Sequence, residues 1–213
     1  MYCQTPPIQL DHPEISDALR YIRIGANRER AKPQPALTQP EFIERLSRIT
    51  DPTLRQLAIL TWSHCARPSN VLKLTRAAIQ MPGQSSTLQI LWTDAKTAAT
   101  RGPYTTYSTI GPHSQEISSL LQKGKNDLLF PGAATTHGAL KLLKQLRTAL
   151  QIKDLRMIRR GSHITLAESG VPEETLLVFS GHSSVESLRR YLRWGQSMQL
   201  RRLQATQAAA ALW

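Results

Sequence analysis

The stretch from Phe179 to Tyr191, FSGHSSVESLRRY, is the most informative part of this sequence for the fold. A turn at Gly181-His182 is followed by a helix that we predict over residues 185–194. Tyr191 stands near the end of that helix, nine residues after His182. Taken alone, a Gly-His turn before a helix is common, so its meaning depends on the chain that precedes it.

The surrounding sequence predicts a mainly α fold with a small antiparallel β-sheet (α+β). Apolar residues at helical spacing predict helices over residues 13–27, 38–49, 52–66, 68–74, 113–122, 136–150, 159–169, 172–179 and 196–212. Thr38 and Asp51, each followed closely by proline, are typical helix starts. Alternating apolar residues predict a strand over 87–93, with 104–110 as its antiparallel partner and 94–103 as the connecting loop.

Cationic and phenolic groups follow one another in a definite order. Arg67 ends the junction His64-Cys65-Ala66-Arg67, and Lys96 lies in the hairpin loop. Arg156-Met157-Ile158-Arg159 comes next, then Phe179-Ser180-Gly181-His182-Ser183-Ser184, and finally Tyr191. Any one of these elements is ordinary, but the five together, in this order and at these spacings, resemble the tyrosine recombinase (phage integrase) family over residues 36–194.

The resemblance implies a catalytic domain that breaks and rejoins DNA strands through a covalent 3′-phosphotyrosine. Arg67 and Arg159 would hold the non-bridging phosphate oxygens by bidentate hydrogen bonds. Tyr191 would be the nucleophile, Lys96 would protonate the leaving 5′-hydroxyl and His182 would donate a hydrogen bond to the phosphate. No metal and no other cofactor is implied.

The sequence departs from the family pattern at two positions near the site. Arg156 stands where the family has histidine and is also a candidate catalytic residue. It can still contact the phosphate, but an arginine that stays protonated is a poor general base. Asn70 stands where an acidic residue often follows the first arginine. Both departures concern activity rather than fold.

The resemblance also suggests a division of the chain. Residues 1–35 look like the end of an N-terminal helical domain plus a linker, and 36–213 like the catalytic domain. The helix over about 196–212 would dock onto a neighbouring protomer or fold back on its own core.

Charge indicates a polyanionic partner. The 213 residues include 27 Lys+Arg and 15 Asp+Glu, a formal charge of +12. Double-stranded DNA is the expected partner, and the resemblance implies a homotetramer when assembled on it. Further DNA contacts, or else solvated helix faces, are expected at Arg101, Arg160, Arg189, Arg190 and Arg193. We expect His163 to pack beneath the site.

Several classes of protein are disfavoured. No apolar run approaches the roughly 20 residues of a membrane span, and the N-terminus lacks the features of a secretory signal. Two cysteines, Cys3 and Cys65, make no disulfide framework. A Gly-rich phosphate loop, a His-Glu-x-x-His helix and a Gly-x-Ser-x-Gly elbow are all missing from the sequence. We therefore expect an intracellular protein that is found with DNA, in the nucleus of a eukaryote or the cytoplasm and nucleoid of a prokaryote.

Three functions compete. The first is a site-specific recombinase or integrase. The second is a catalytically inactive DNA-binding remnant of a mobile-element recombinase, favoured by Arg156. The third, a strand-relaxing type IB topoisomerase, shares the chemistry and differs in lacking synapsis.

Overall fold

The computed structural model describes residues 35–81, 86–94, 98–99, 102–122, 124–181 and 185–192, without the side chains of residues 180, 187, 190 and 191. The helices with defined bounds are α1 (Gln39–Ser47), α2 (Pro52–Ser63), α3 (Pro68–Val71), α4 (Ser114–Ser118), α5 (Thr136–Ala149), α6 (Arg156–Glu168), α7 (Glu173–Ser180) and α8 (Val185–Leu192). Short 3₁₀ turns lie at Arg76–Ala78, Gly111–His113, Ser119–Gln122 and Pro131–Ala133. The predicted helices over 13–27 and 196–212 lie outside the described residues.

Helices α1 and α2 begin where their capping residues predict. The Thr38 side chain accepts a hydrogen bond from the Glu41 backbone, and the Glu41 carboxylate accepts one from the Thr38 N–H at 2.8 Å. The Asp51 carboxylate accepts one from the Leu54 N–H at 3.0 Å. Each cap satisfies backbone donors that the first helical turn leaves without intrahelical partners, so these starts are encoded locally.

A three-stranded antiparallel sheet lies in the order β1 (Ile79–Gln80), β2 (Thr87–Trp92), β3 (Tyr104–Thr109). The two predicted strands are confirmed, and Trp92 pairs with Tyr104 in their register. Strand β1 was not predicted, because two residues are too few to show an alternating pattern.

Several helical segments differ from their predicted bounds. Helices α2 and α3 each end three residues earlier than predicted, at Ser63 and Val71. Helix α6 begins at Arg156 rather than Arg159, because the Asp154 carboxylate accepts a hydrogen bond from the Arg156 N–H at 2.9 Å. The single helix predicted over 113–122 is instead the short α4 between two 3₁₀ turns. Its apolar positions are still used, since Ile117 is fully buried.

The main core packs α1, α2, α5 and α6 against the buried face of the sheet. Helix α2 runs through its centre, where Leu57 and Leu60 have no exposed surface. A smaller cluster of Leu176, Leu188 and Leu192 joins α7 and α8, with partly buried residues of α6 packed against it. The backbone of α8, and with it residue 191, is therefore held by apolar contacts. Among the described helices, none has both the length and the apolar character needed to cross a bilayer.

Candidate active site

The turn between α2 and α3 positions Arg67. The Ala66 N–H donates to the Thr61 carbonyl at 3.0 Å and the Cys65 N–H to the Trp62 carbonyl at 3.1 Å, the pattern of a Schellman motif. Cys65 takes its left-handed position with φ of +48°, where glycine is usual. The chain reverses within two residues, so that Arg67 begins α3 with its side chain exposed.

His64, at the end of α2, is tied to the sheet by a buried chain of hydrogen bonds. Its Nδ1 lies 2.7 Å from Thr106 Oγ1, and its Nε2 lies 2.9 Å from Ser108 Oγ. The Trp92 indole, which can only donate, donates to Thr106 Oγ1 at 2.8 Å.

The network has an electrostatic and a structural consequence. Burial lowers the pKa of His64 to about 3, so the imidazole is neutral near pH 7. The network also joins the turn that carries Arg67 to strands β2 and β3. These strands flank the loop that contains Lys96 and Arg101, two residues outside the described ones.

Arg159 lies on the buried side of α6, with only 7% of its surface exposed. A close crossing holds this helix, because a Cβ on Gly161 would come 2.0 Å from the Leu37 carbonyl oxygen. His163 is fully buried, and its Nδ1 lies 2.5 Å from the Arg159 carbonyl oxygen. This position agrees with the expectation that His163 packs beneath the site.

Arg159 lines one cleft with Tyr104, and the charge of Arg67 also reaches that tyrosine. Both positive charges act on the Tyr104 phenol, lowering a pKa that burial, the larger effect, raises. Burial also raises the pKa of the Cys65 thiol to about 11, against smaller opposing effects of a hydrogen bond with Ser162 and the charge of Arg159. The thiol is therefore neutral near pH 7 and adds no negative charge to the cleft.

The cleft is small, about 10 Å³, and none of the described residues that line it is acidic. Its described lining residues are His64, Cys65, Ala66, Asn70, Trp92, Tyr104, Arg159 and Phe179. Phe179 lies in the last turn of α7, which ends at Gly181 with φ of +62°. The end of α7 is therefore near the cleft, and His182, the residue after Gly181, is outside the described residues.

Two other predicted arginines of α6 lie away from this arrangement. The Arg156 side chain is 74% exposed, and its Nε lies 3.1 Å from the Asp154 carboxylate. Arg156 is not among the described residues that line the cleft. Arg160 is buried, with 6% of its surface exposed, so it does not lie on a solvated helix face.

An exposed ion pair fastens α8 to α7. Arg189 Nε and Nη2 donate to the two oxygens of the Glu173 carboxylate at 2.7 and 3.0 Å. The structure describes the backbone of Arg190 and Tyr191 in α8 but not their side chains. Arg193 lies outside the described residues.

Sequence reasoning missed Tyr104 as a lining residue of the cleft, and it did not foresee the hydrogen-bonding role of His64. Tyr104 reads as an ordinary strand residue, and its place beside the arginines follows from the pairing of Trp92 with Tyr104. The one available signal was the polar His64 at the end of an apolar helix, where a buried partner is needed.

A larger groove of about 750 Å³ lies elsewhere, between α1, β3 and the α6–α7 region. None of the described residues that line it is Lys, Arg, Asp or Glu. An anion would therefore favour the arginine cleft. In the described part of the chain, no three His, Cys, Asp or Glu side chains are grouped as a metal site requires.

The fold is similar to that of solved recombinase structures. The XerH site-specific recombinase bound to palindromic difH substrate, in a post-cleavage complex, gives a TM-score of 0.60 at 17% identity, covering 85% of this chain and 54% of that chain. The XerA recombinase gives 0.59 at 14% identity, covering 76% and 60%. The catalytic domain of bacteriophage HP1 integrase gives 0.54 at 18% identity, covering 75% and 88%.

These similarities are structural. No family model matches the sequence, and no curated protein sequence matches it. The chain spans about half the length of XerH but corresponds to most of the HP1 catalytic domain. From its helices, its small antiparallel sheet and these neighbours, the chain has a fold like that of the tyrosine recombinase catalytic domain.

Proposed function

We propose that this chain is the catalytic part of a tyrosine-type site-specific DNA recombinase or integrase. The observation that carries the proposal is that Arg159 lines a cleft without an acidic lining residue among those described, and that the charge of Arg67, 92 residues earlier in sequence, acts on Tyr104 in the same cleft. Two guanidinium groups that act on one cleft suit a phosphodiester, whose non-bridging oxygens each accept hydrogen bonds.

The proposed reaction is an in-line displacement at phosphorus. The Tyr191 phenol gives its proton to water, and its oxygen forms a bond to phosphorus as the bond to the 5′-oxygen breaks. The departing 5′-oxygen takes a proton from Lys96. Arg67, Arg159 and His182 stabilise the charge that builds on the non-bridging oxygens, and the 3′-phosphotyrosine retains a bond that the free 5′-hydroxyl can attack in the reverse direction.

DNA binding beyond the cleft rests on the charge of +12. Arg101, Arg190 and Arg193 are the proposed phosphate contacts, each adding salt-sensitive affinity. Arg189, paired with Glu173, and the buried Arg160 would add less. A homotetramer on DNA, a location with DNA inside the cell, and the division into 1–35 and 36–213 belong to the same proposal.

A second function is favoured by a specific contact. Arg156 pairs with Asp154 at the surface, away from the cleft residues. A protein in which this position contributes nothing to cleavage would bind DNA without cutting it. A catalytically inactive DNA-binding protein is therefore the alternative.

The test is covalent capture on DNA. Duplex fragments from either side of the gene, each nicked so that religation is blocked, are incubated with the wild type, Tyr191→Phe and Tyr107→Phe. Tyr107 is an exposed tyrosine of β3 and serves as the matched control. We expect an adduct on a denaturing gel for the wild type and Tyr107→Phe, and none for Tyr191→Phe.

Other outcomes separate the two functions. An adduct that persists in Tyr191→Phe would contradict the assignment of the nucleophile. Salt-sensitive DNA binding without an adduct favours the inactive protein, and an adduct that then appears in Arg156→His would identify Arg156 as the cause.

A further inference from the structure

Tyr104 is held at the edge of the arginine cleft by the sheet. It is the first residue of β3 and pairs across the strands with Trp92, whose ring centroid lies 6.5 Å from its own at an interplanar angle of 27°. Trp92 is only 3% exposed, and its indole N–H is bonded to Thr106. The Tyr104 ring is therefore stacked on the Trp92 indole, which is itself fixed by burial and a hydrogen bond.

Tyr104 lies in the same cleft as Arg159 and within the electrostatic reach of Arg67. Tyr104 lines the cleft together with Arg159 and Asn70, and both Arg67 and Arg159 act electrostatically on its phenol. Because burial raises the pKa of this phenol above its usual value of about 10, the group is protonated near pH 7. A neutral hydroxyl beside two guanidinium groups can donate a hydrogen bond to an anion that they hold.

We propose that Tyr104 is a third phosphate-binding group of this cleft, whose hydroxyl donates a hydrogen bond to a non-bridging oxygen of a phosphate bound by Arg67 and Arg159. The identity of that phosphate as a DNA phosphodiester rests on the proposed function. The proposal that these three residues bind a phosphate group does not depend on that function.

The first measurement uses inorganic phosphate and the full chain. Phosphate is titrated into the wild type, Tyr104→Phe, Tyr107→Phe and Arg159→Ala, with the Trp92 indole N–H resonance as the readout. Both Tyr→Phe changes keep the ring and remove one hydroxyl, so Tyr107→Phe controls for the substitution itself. We expect Tyr104→Phe to weaken phosphate binding about 10-fold and Tyr107→Phe to leave it unchanged.

The second measurement uses the nicked DNA fragments. At saturating DNA, Tyr104→Phe should form the adduct about 10-fold more slowly than Tyr107→Phe, because a charge-assisted hydrogen bond to the reacting phosphate is lost. Affinity for whole duplex should change little, since many other phosphate contacts remain.

The two measurements separate the outcomes. Weaker phosphate binding in Tyr104→Phe, with no adduct in the wild type, supports the role of Tyr104 and contradicts strand cleavage. Equal phosphate binding in Tyr104→Phe and Tyr107→Phe overturns the role of Tyr104, whatever the adduct assay shows. Absence of phosphate binding by the wild type also overturns it.

Discussion

Thr106 Oγ1 lies 2.7 Å from Nδ1 of His64, although 42 residues separate the two in the chain. This contact joins the end of α2, three residues before Arg67, to the strand that begins at Tyr104. Both partners are buried, with 2% of the surface of each exposed. The relative position of an arginine and a cleft tyrosine thus depends on a short chain of internal hydrogen bonds.

Replacing His64 should destabilise the protein substantially. His64→Ala removes the hydrogen bonds of the imidazole with the Thr106 and Ser108 hydroxyls and opens a cavity, at an expected cost of about 2–4 kcal/mol in the free energy of unfolding. Urea denaturation measures the change. His137→Ala, at an exposed position of α5, is the control and should stay within about 0.5 kcal/mol of the wild type. A similar small effect of His64→Ala would contradict the network.

The same histidine predicts a loss of stability in weak acid. The pKa of His64 is about 3 when folded and near 6.5 when unfolded, so the unfolded chain binds the extra proton. Its contribution to stability is complete above pH 6.5 and is lost as the pH falls toward 3. The loss is up to about 1.4 kcal/mol for each pH unit.

This pH dependence can be separated from that of Glu116. Its carboxyl pKa is lowered to about 2, chiefly by hydrogen bonds from Arg55, so that contribution is lost only below about pH 4.5. The free energy of unfolding, measured in urea, should therefore fall with pH between about pH 7 and 5 in the wild type. It should fall less steeply in His64→Gln. Equal slopes in the two proteins would argue against a neutral buried His64.

No other cationic side chain should support strand cleavage in place of Arg159. Arg159→Lys keeps the charge but removes the paired donors, and we expect adduct formation to slow by about 10²-fold or more. Arg156→Lys, on the preceding turn of α6, is the matched comparison and should slow it by less than about 3-fold, because Arg156 pairs with Asp154. Rates are read from gel time courses at saturating DNA. Equal losses would place both arginines in the reaction.

Gly161 should tolerate no side chain. Its Cβ would lie 2.0 Å from the Leu37 carbonyl oxygen and 3.0 Å from the Trp62 ring, so Gly161→Ala must shift α6 or the chain that crosses it. We expect a loss of about 2–4 kcal/mol in the free energy of unfolding by urea titration. Gly132→Ala, whose Cβ would make an ordinary 3.5 Å contact with Leu142, should be nearly neutral. A stable Gly161→Ala would be inconsistent with the close crossing.

Release of Arg189 from its carboxylate should change DNA binding. Glu173→Gln removes the stronger of two carboxylate charges that act on Arg189, the other being that of Glu186, so a phosphate competes better for the guanidinium. The slope of log affinity against log salt should steepen by about 1, while Glu44→Gln, which frees Arg48 on α1, changes it less. Filter binding over a range of salt measures both. Equal slopes for the two variants would exclude Arg189 from the DNA surface.

Short-range features of the fold were predictable because they are encoded within a few residues. The Thr38 and Asp51 side chains accept hydrogen bonds from backbone groups three residues ahead. The alternating apolar residues of β2 predict a strand. The two-residue strand β1 has no period to detect. The start of α6 was placed one turn late, because the Asp154 cap precedes the apolar pattern that marks the helix.

The candidate site, like the fold, has features that the sequence predicts and features that it does not. The order and spacing of Arg67, Arg159 and Tyr191 predicted the fold, and the solved structures confirm that part. The catalytic roles stay a prediction. Sequence spacing could not show that Arg156 faces solvent while Arg159, three residues later, faces the cleft, because both positions are compatible with the same helix.

The sequence alone therefore determined the helix starts, the two longer strands and the linear order of the cationic groups, all of which depend on local geometry and residue type. Only the tertiary structure decided that Tyr104 and Arg159 share a cleft and that His64 is buried and neutral. Those properties arise from strand register and from the exclusion of water between α2 and the sheet. They depend on residues far apart in the chain, and no short stretch of sequence contains them.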